Sequence, residues 1–403
     1  MSEKVLFIVN AYYPRPVPTS ICVMHVQEAL WNMGIGSDVL QAGEKDGFEK
    51  NVNFGRIYSI NSGKITFDKT KRNLFSYYVK KFPLLATWPV LSLSNVKKYK
   101  KWIRDNKKNY DAIIAIIAPG DTALAASEFD DFIIYELDSL INNPEYKRGV
   151  KKYYRRRLYQ LENLLYKRAS LIIHLNSNKK FYSTRDEYAK YSDKSRYADI
   201  PYLVNKYYEH KKNEGQIRAV YLGSFARDYR SPEYLLKLIG SISKEVVIRC
   251  DFYTRGACED LIENGVRDYP GVVFKNDYVS HEIVKRIIEE SDLLISIGNK
   301  LVGDDYSLPS KTIEYIASGK PVLHILGGDN DSAVSYFKKY ELACIITPND
   351  SIEKNTGIVV DFIKRVRNKT IPFSSVENKF PMNTPKYTAA IIRDYINRKK
   401  EKD

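Results

Sequence analysis

The sequence predicts an α/β protein of two doubly wound domains facing one another across a cleft, and three observations carry that reading. Short runs of branched apolar residues alternate with helical stretches along the chain. The alternation halts once, at the polar stretch KYYEHKKNEGQ (206–216), and then restarts. At 403 residues the chain is too long for one comfortable core. Alternating strands and helices give a parallel sheet covered on both faces. The expected division is an N-terminal domain over 1–205, a linker at 206–216, a C-terminal domain over 217–380, and a helix in 381–403 that packs back on the first domain.

The first strand is VLFIVN (5–10), a run of branched residues, followed by a helix over 20–33 and strands at SDVLQA (37–42) and GRIYSI (55–60). An aromatic insertion over 61–90, with Phe67, Tyr77, Tyr78, Phe82 and Trp88, breaks the rhythm. Such insertions serve as lids or packing loops, and both readings stand. Strands resume at DAIIAIIA (111–118), DFIIYEL (131–137) and SLIIHL (170–175), with a long helix from about 145 to 168. After the linker come strands at 217–223, 246–253, 272–274, 292–298, 321–326 and 342–347, with helices near 231–241, 257–264, 280–290, 309–318, 331–340 and 351–367. Ligands of such sheets bind beyond the carboxyl ends of the strands, so the cleft is the expected site.

The charge balance is basic, 64 Lys and Arg against 49 Asp and Glu, which favours anionic partners. Nucleic acid would suit it, but no helix-turn-helix, RNP-like or zinc-finger pattern is present. The cysteines Cys22, Cys250, Cys258 and Cys344 form no Cys-x-x-Cys pair, which suits free thiols in a reducing compartment. The opening MSEKVLFIVNAYYP has too short an apolar run for a signal peptide. A cytoplasmic protein, soluble or peripheral on the inner membrane face, is expected. The five histidines are scattered, so no metal site is expected.

Three loops of the second domain carry the chemistry. YLGSFARDYR (221–230) offers Gly223 and Ser224 for close backbone approach and Arg227 and Arg230 as cations, or it is a solvated turn. DFYTRG (251–256) offers Tyr253 and Arg255 and by itself reads as a surface turn. The third, SLPSKTIEYIASGKPV (307–322), places Pro309 at a first helical position, with the amides of Ser310, Lys311 and Thr312 open to an anion. Glu314, four residues past Ser310, lies roughly 6 Å along the axis, about the gap from a phosphate to a ribose. The competing reading is an exposed Lys311–Glu314 ion pair. In the first domain, Asp121 and Asp138 end strands; Asp138 could orient or deprotonate an acceptor hydroxyl, or cap the next helix. His174 also ends a strand and reads as a satisfied buried histidine. The cationic runs KRGVKKYYRRR (147–157) and KKYKKWIRDNKK (97–108) are solvated faces or contacts to anionic lipid.

In order along nearly the whole chain, VLFIVNAYYPRPVP, YLGSF, VVFKNDYVSHEIVKRIIEESDLLISIG and SLPSKTIEYIASGKPV resemble a GT-B glycosyltransferase, of the family 4-like group that builds bacterial surface polysaccharides. The resemblance implies a metal-independent hexosyltransferase of retaining type, with a UDP- or other NDP-sugar donor, no further cofactor, and a glycan or lipid-linked acceptor. It maps Glu314 onto the acidic residue that grips the donor ribose and Arg230, or alternatively Arg227, onto the phosphate-facing lysine. The first acidic residue of that pair would fall on Tyr306, which is not acidic; Asp304 or Asp305 could substitute, and donor sugar and stereochemistry stay open. The acceptor loop PRPVPTS (14–20) lacks the glycines many members carry. The resulting candidates are Asp138, Arg230 and Lys311 for catalysis and Gly223, Ser224, Arg227, Arg255, Asp305, Ser310, Thr312 and Glu314 for the donor. A sugar-nucleotide epimerase and a non-catalytic GT-B-like subunit are the alternatives. A dinucleotide oxidoreductase is disfavoured, because no Gly-x-Gly-x-x-Gly follows either first strand.

Overall fold

A computed structural model describes residues 3–14, 16–62, 87–143, 154–206, 208–209, 215–254, 258–275, 279, 281–299 and 308–401. The expected insertion residues Phe67, Tyr77, Tyr78 and Phe82, and most of the cationic run 147–157, lie outside them. The chain divides into two compact units, one of residues 1–202 with 382–403 and one of residues 203–381.

The first unit contains strands β1 (Lys4–Ile8), β2 (Gly36–Gly43), β3 (Gly47–Val52), β4 (Gly55–Asn61), β5 (Ala112–Ile116), β6 (Phe132–Glu136), β7 (Leu171–Leu175) and β8 (Ser195–Ala198). Its helices are α1 (Pro18–Asn32), α2 (Leu93–Asn106), α3 (Asp121–Ala126), α4 (Arg155–Arg168), α5 (Lys179–Ser183) and α6 (Asp186–Ala189). The sheet order is β3-β4-β2-β1-β5-β6-β7-β8, parallel except for the β3–β4 pair. β5, β6 and β7 are buried along their whole length, as expected of parallel strands covered on both faces. β3 and β8 were not expected: GFEKNV and SRYA lack the apolar run that betrays a buried strand, since both sit on sheet edges.

The second unit contains β9 (Ile217–Leu222), β10 (Ile248–Tyr253), β11 (Val272–Lys275), β12 (Leu293–Ile297), β13 (Val322–Ile325) and β14 (Ala343–Ile346). Its helices are α7 (Glu233–Ile242), α8 (Glu259–Asp268), α9 (His281–Glu289), α10 (Ser310–Ala317), α11 (Val334–Phe337), α12 (Ile352–Val366) and α13 (Phe373–Lys379). All six strands are parallel, in the order β11-β10-β9-β12-β13-β14. The chain winds outward from β9 in one direction and returns through β12 in the other. The topological switch point therefore lies between β9 and β12, the place where such sheets leave a crevice.

A last helix, α14 (Pro385–Lys400), belongs to the first unit and lies against α1, burying Ala389, Ile392 and Ile396. Among the described residues no helix is long and apolar enough to cross a membrane.

Candidate functional site

The loops at the carboxyl ends of β9 and β12 are joined by Arg230. Its Nε donates to Asn299 Oδ1 at 2.9 Å, and its Nη1 donates to the Ser224 carbonyl at 3.3 Å. Tyr221 fixes the same carbonyl, its hydroxyl donating to Ser224 O at 3.1 Å. Burial pushes the Tyr221 hydroxyl up to about 12, and the Arg230 charge beside it acts in the opposite direction. Gly223 closes the turn, its amide donating to Tyr253 O at 3.2 Å. A Cβ there would come within 3.3 Å of the Tyr221 hydroxyl, tighter than an ordinary contact. The structure thus gathers Gly223, Ser224 and Arg230. Arg227 goes elsewhere: its Nη2 forks onto Asp260 at 2.5 and 2.6 Å on the exposed surface.

Asn299 owes its position to the next loop. Gly327, after β13, lies so close to Gly298 and Asn299 that a Cβ on it would fall 2.4–2.5 Å from their backbone atoms. Asp331 locks the crossing, accepting from the amides of Gly327 and Ala333, both at 3.1 Å. It also lies 3.0 Å from His324 Nε2, whose Nδ1 is 3.1 Å from Ser296 Oγ. Burial would raise the Asp331 carboxyl, but the hydrogen bond and charge of His324 hold it below the usual range.

α10 begins beyond the end of β12, so its N-terminus shares the strand-end side of this sheet. Pro309 is its N-cap (φ −60°, ψ 128°) rather than its first helical residue, because that ψ is extended. The Thr312 amide bonds back to Pro309 O at 2.9 Å. The open amides expected at Ser310, Lys311 and Thr312 therefore reduce to Ser310 and Lys311 among the described residues. Thr312 contributes instead a buried hydroxyl with no hydrogen-bond partner among the described residues.

Glu314 lies one turn further in and is 3% exposed. It pairs with Lys311 at 2.7 Å, as the competing sequence reading has it, but on a buried face rather than an exposed one. Its other oxygen takes Lys206 Nζ at 2.6 Å. Burial works to raise the Glu314 carboxyl; the charges of Lys311 and Lys206 overcome it and bring the pKa down to about 2. Tyr208 stands beside them, its hydroxyl buried without a partner among the described residues and pushed up by burial and then by the charges of Glu314 and Glu289. Lys206 and Asn299 were not legible as site residues: Lys206 is 108 positions from Glu314, and nothing local marks either. Arg255, Asp304, Asp305 and Tyr306 lie outside the described residues.

In the first unit, Asp138 follows the end of β6 and is half-buried. Next to it, Ser139 Oγ accepts the Asn142 amide at 3.0 Å. Asp121 is taken by a structural task, accepting the amides of Leu91 and Ser92 at 2.8 and 2.7 Å.

No known family profile and no curated protein sequence matches this chain. Solved structures do. WaaG, a glycosyltransferase involved in lipopolysaccharide biosynthesis, is similar over 96% of this chain and 99% of its own, at 13% identity and a TM-score of 0.55. The trehalose-6-phosphate synthase OtsA is similar over 98% and 99%, at 9% identity and a TM-score of 0.64. A Listeria monocytogenes protein assigned as a UDP-N-acetylglucosamine 2-epimerase is similar over 100% and 98%, at 11% identity and a TM-score of 0.59. The likeness over nearly full length establishes a GT-B fold.

Proposed function

We propose that the chain is a nucleotide-sugar-dependent glycosyltransferase acting without a metal ion on a glycan or lipid-linked acceptor, in surface polysaccharide synthesis. The observation that carries this reading is Glu314, a buried carboxylate held ionised by two lysines one turn inside a helix that starts at the strand ends. A carboxylate has about four lone-pair directions, and two lysines use two of them. Two remain for the vicinal hydroxyls of a ribose. The Ser310 and Lys311 amides, the α10 dipole and the Lys311 charge suit the diphosphate at the helix start. Arg230 lies across the switch point, bridging the loops after β9 and β12.

The chemistry follows from charge. As the sugar leaves, negative charge grows on the departing diphosphate, and cations already in place stabilise it without reorganisation. Lys311 and Arg230 have that role here, Lys206 reinforces them, and Gly223 and Ser224 admit the donor backbone-close. Asp305 and Arg255 are donor contacts by sequence position. Asp138 would orient the acceptor hydroxyl. A retaining outcome and a hexose donor belong to this proposal.

Calorimetry with nucleoside diphosphates tests it. One of them should bind, and Glu314→Gln should weaken it by roughly 1.5–3 kcal/mol, about tenfold to a hundredfold in Kd. Transfer should persist in EDTA. Equal affinity for wild type and Glu314→Gln would remove the ribose assignment. Interconversion of a nucleotide sugar with no acceptor present would make the chain an epimerase.

A further inference from the structure

Glu314 takes a different lysine on each oxygen, Lys206 Nζ on Oε1 at 2.6 Å and Lys311 Nζ on Oε2 at 2.7 Å. One ammonium would be enough to balance its charge. The two lysines are not held alike. Lys311 is the second residue of α10, three positions before Glu314, and its side chain is 35% exposed. Such a pair within one helix is weak, and the flexible lysine stem lets the ammonium turn to another anion. Lys206 comes from the segment before β9, and that segment is tied down. The Tyr208 hydroxyl is buried, and the Glu209 amide donates to Glu289 Oε1, at the end of α9, at 3.2 Å. Glu289 is itself paired with Lys285 at 3.4 Å.

The difference matters once a donor arrives. A diphosphate at the start of α10 carries more negative charge than one carboxylate and competes with Glu314 for Lys311. With Lys311 as its sole partner, Glu314 would then be left as a buried carboxylate without a cation, which is strongly unfavourable. A second lysine from another segment removes that penalty.

We propose that the two lysines divide the work. When a nucleoside diphosphate binds, Lys311 leaves Glu314 for the diphosphate, and Lys206 stays as the positioning residue that keeps the carboxylate ionised for the ribose. The inference rests on the donor-site reading of Glu314.

The test is calorimetry on the full chain with UDP, ADP, GDP and CDP, and with the nucleoside of whichever diphosphate binds, measured by displacement. A nucleoside does not draw Lys311 away, so Lys206→Met should leave its affinity nearly unchanged. The same variant should bind the diphosphate roughly tenfold or more weakly than wild type. Lys206→Arg, which keeps the cation, should restore most of that loss. Lys206→Gln takes the place of Lys206→Met if the latter does not fold. Wild-type diphosphate affinity in the Lys206→Met chain, an equal loss for nucleoside and diphosphate, or no recovery in Lys206→Arg would each overturn the division of work while leaving the donor site standing. If none of the four diphosphates binds wild type, the donor-site reading falls and this inference with it.

Discussion

Glu314 and Glu162 are both buried glutamates, yet their surroundings drive them in opposite directions. At Glu314 two lysines outweigh burial and the pKa falls from 4.5 to about 2. Its contribution to stability is complete above about pH 4.5 and is lost as pH falls through about 2. At Glu162 burial comes first and the charge of Glu136 adds to it, raising the pKa from 4.5 to about 8. Between these two values the unfolded chain has released the Glu162 proton while the folded chain keeps it. Its share of stability is therefore full below about pH 4.5 and declines as pH rises toward 8. Glu162→Gln removes that dependence, so the melting temperature should fall less steeply between about pH 5 and 8 than in wild type. Equal slopes in a pH series of thermal melts would show that Glu162 titrates normally. Absolute stability is a poorer readout, because the Ile141 amide donates to Glu162 Oε2 at 3.2 Å and a Gln amide there would oppose it.

Among the elements, the loops after β12 and β13 cross in close backbone contact. Gly327→Ala would drive a Cβ against backbone that cannot give way, while Gly328 next to it has nothing within 4 Å. Gly327→Ala should therefore destabilise the chain by roughly 1–3 kcal/mol and weaken nucleotide binding through Asn299 and Arg230. Gly328→Ala should be neutral in thermal melts; similar behaviour of the two would disprove the close approach. Neither glycine stands out in PVLHILGGDN, which shows where sequence reasoning ends. The buried strands could be read because parallel strands covered on both faces must be continuously apolar, as in AIIAI and LIIHL. The edge strands GFEKNV and SRYA answer to no such demand and were missed. Within the candidate site, Glu314, Lys311 and Ser310 could be read because one helical turn fixes their spacing. Lys206, Asn299 and the Asp331 lock depend on contacts between distant segments, for which a single sequence carries no local signal.

The whole molecule carries a net charge of +15, and part of it is placed at a cost to local structure. Arg155, Arg156 and Arg157 are exposed and form the first turn of α4. That is the positive end of the helix dipole, where each cation is unfavourable by roughly 0.3–1 kcal/mol. An external anion would offset that cost. A polysaccharide transferase using a lipid-linked acceptor would find one in an anionic leaflet, where each cation near the surface is worth about 1 kcal/mol and salt screens the attraction. The run 97–108 on and after α2 is less available: Lys100 pairs with Glu128, and Lys107 lies over the Phe129 ring at 5.6 Å. The α4 arginines therefore make the sharper test. Wild type should sediment with anionic but not neutral vesicles and be released by high salt. Changing Arg155, Arg156 and Arg157 to Glu should abolish sedimentation while leaving the fold intact, because acidic residues suit a helix N-terminus. Nucleotide affinity should not change, since the candidate donor residues belong to the other unit. Equal partitioning of wild type and the triple variant would mean that the arginines only solvate the surface.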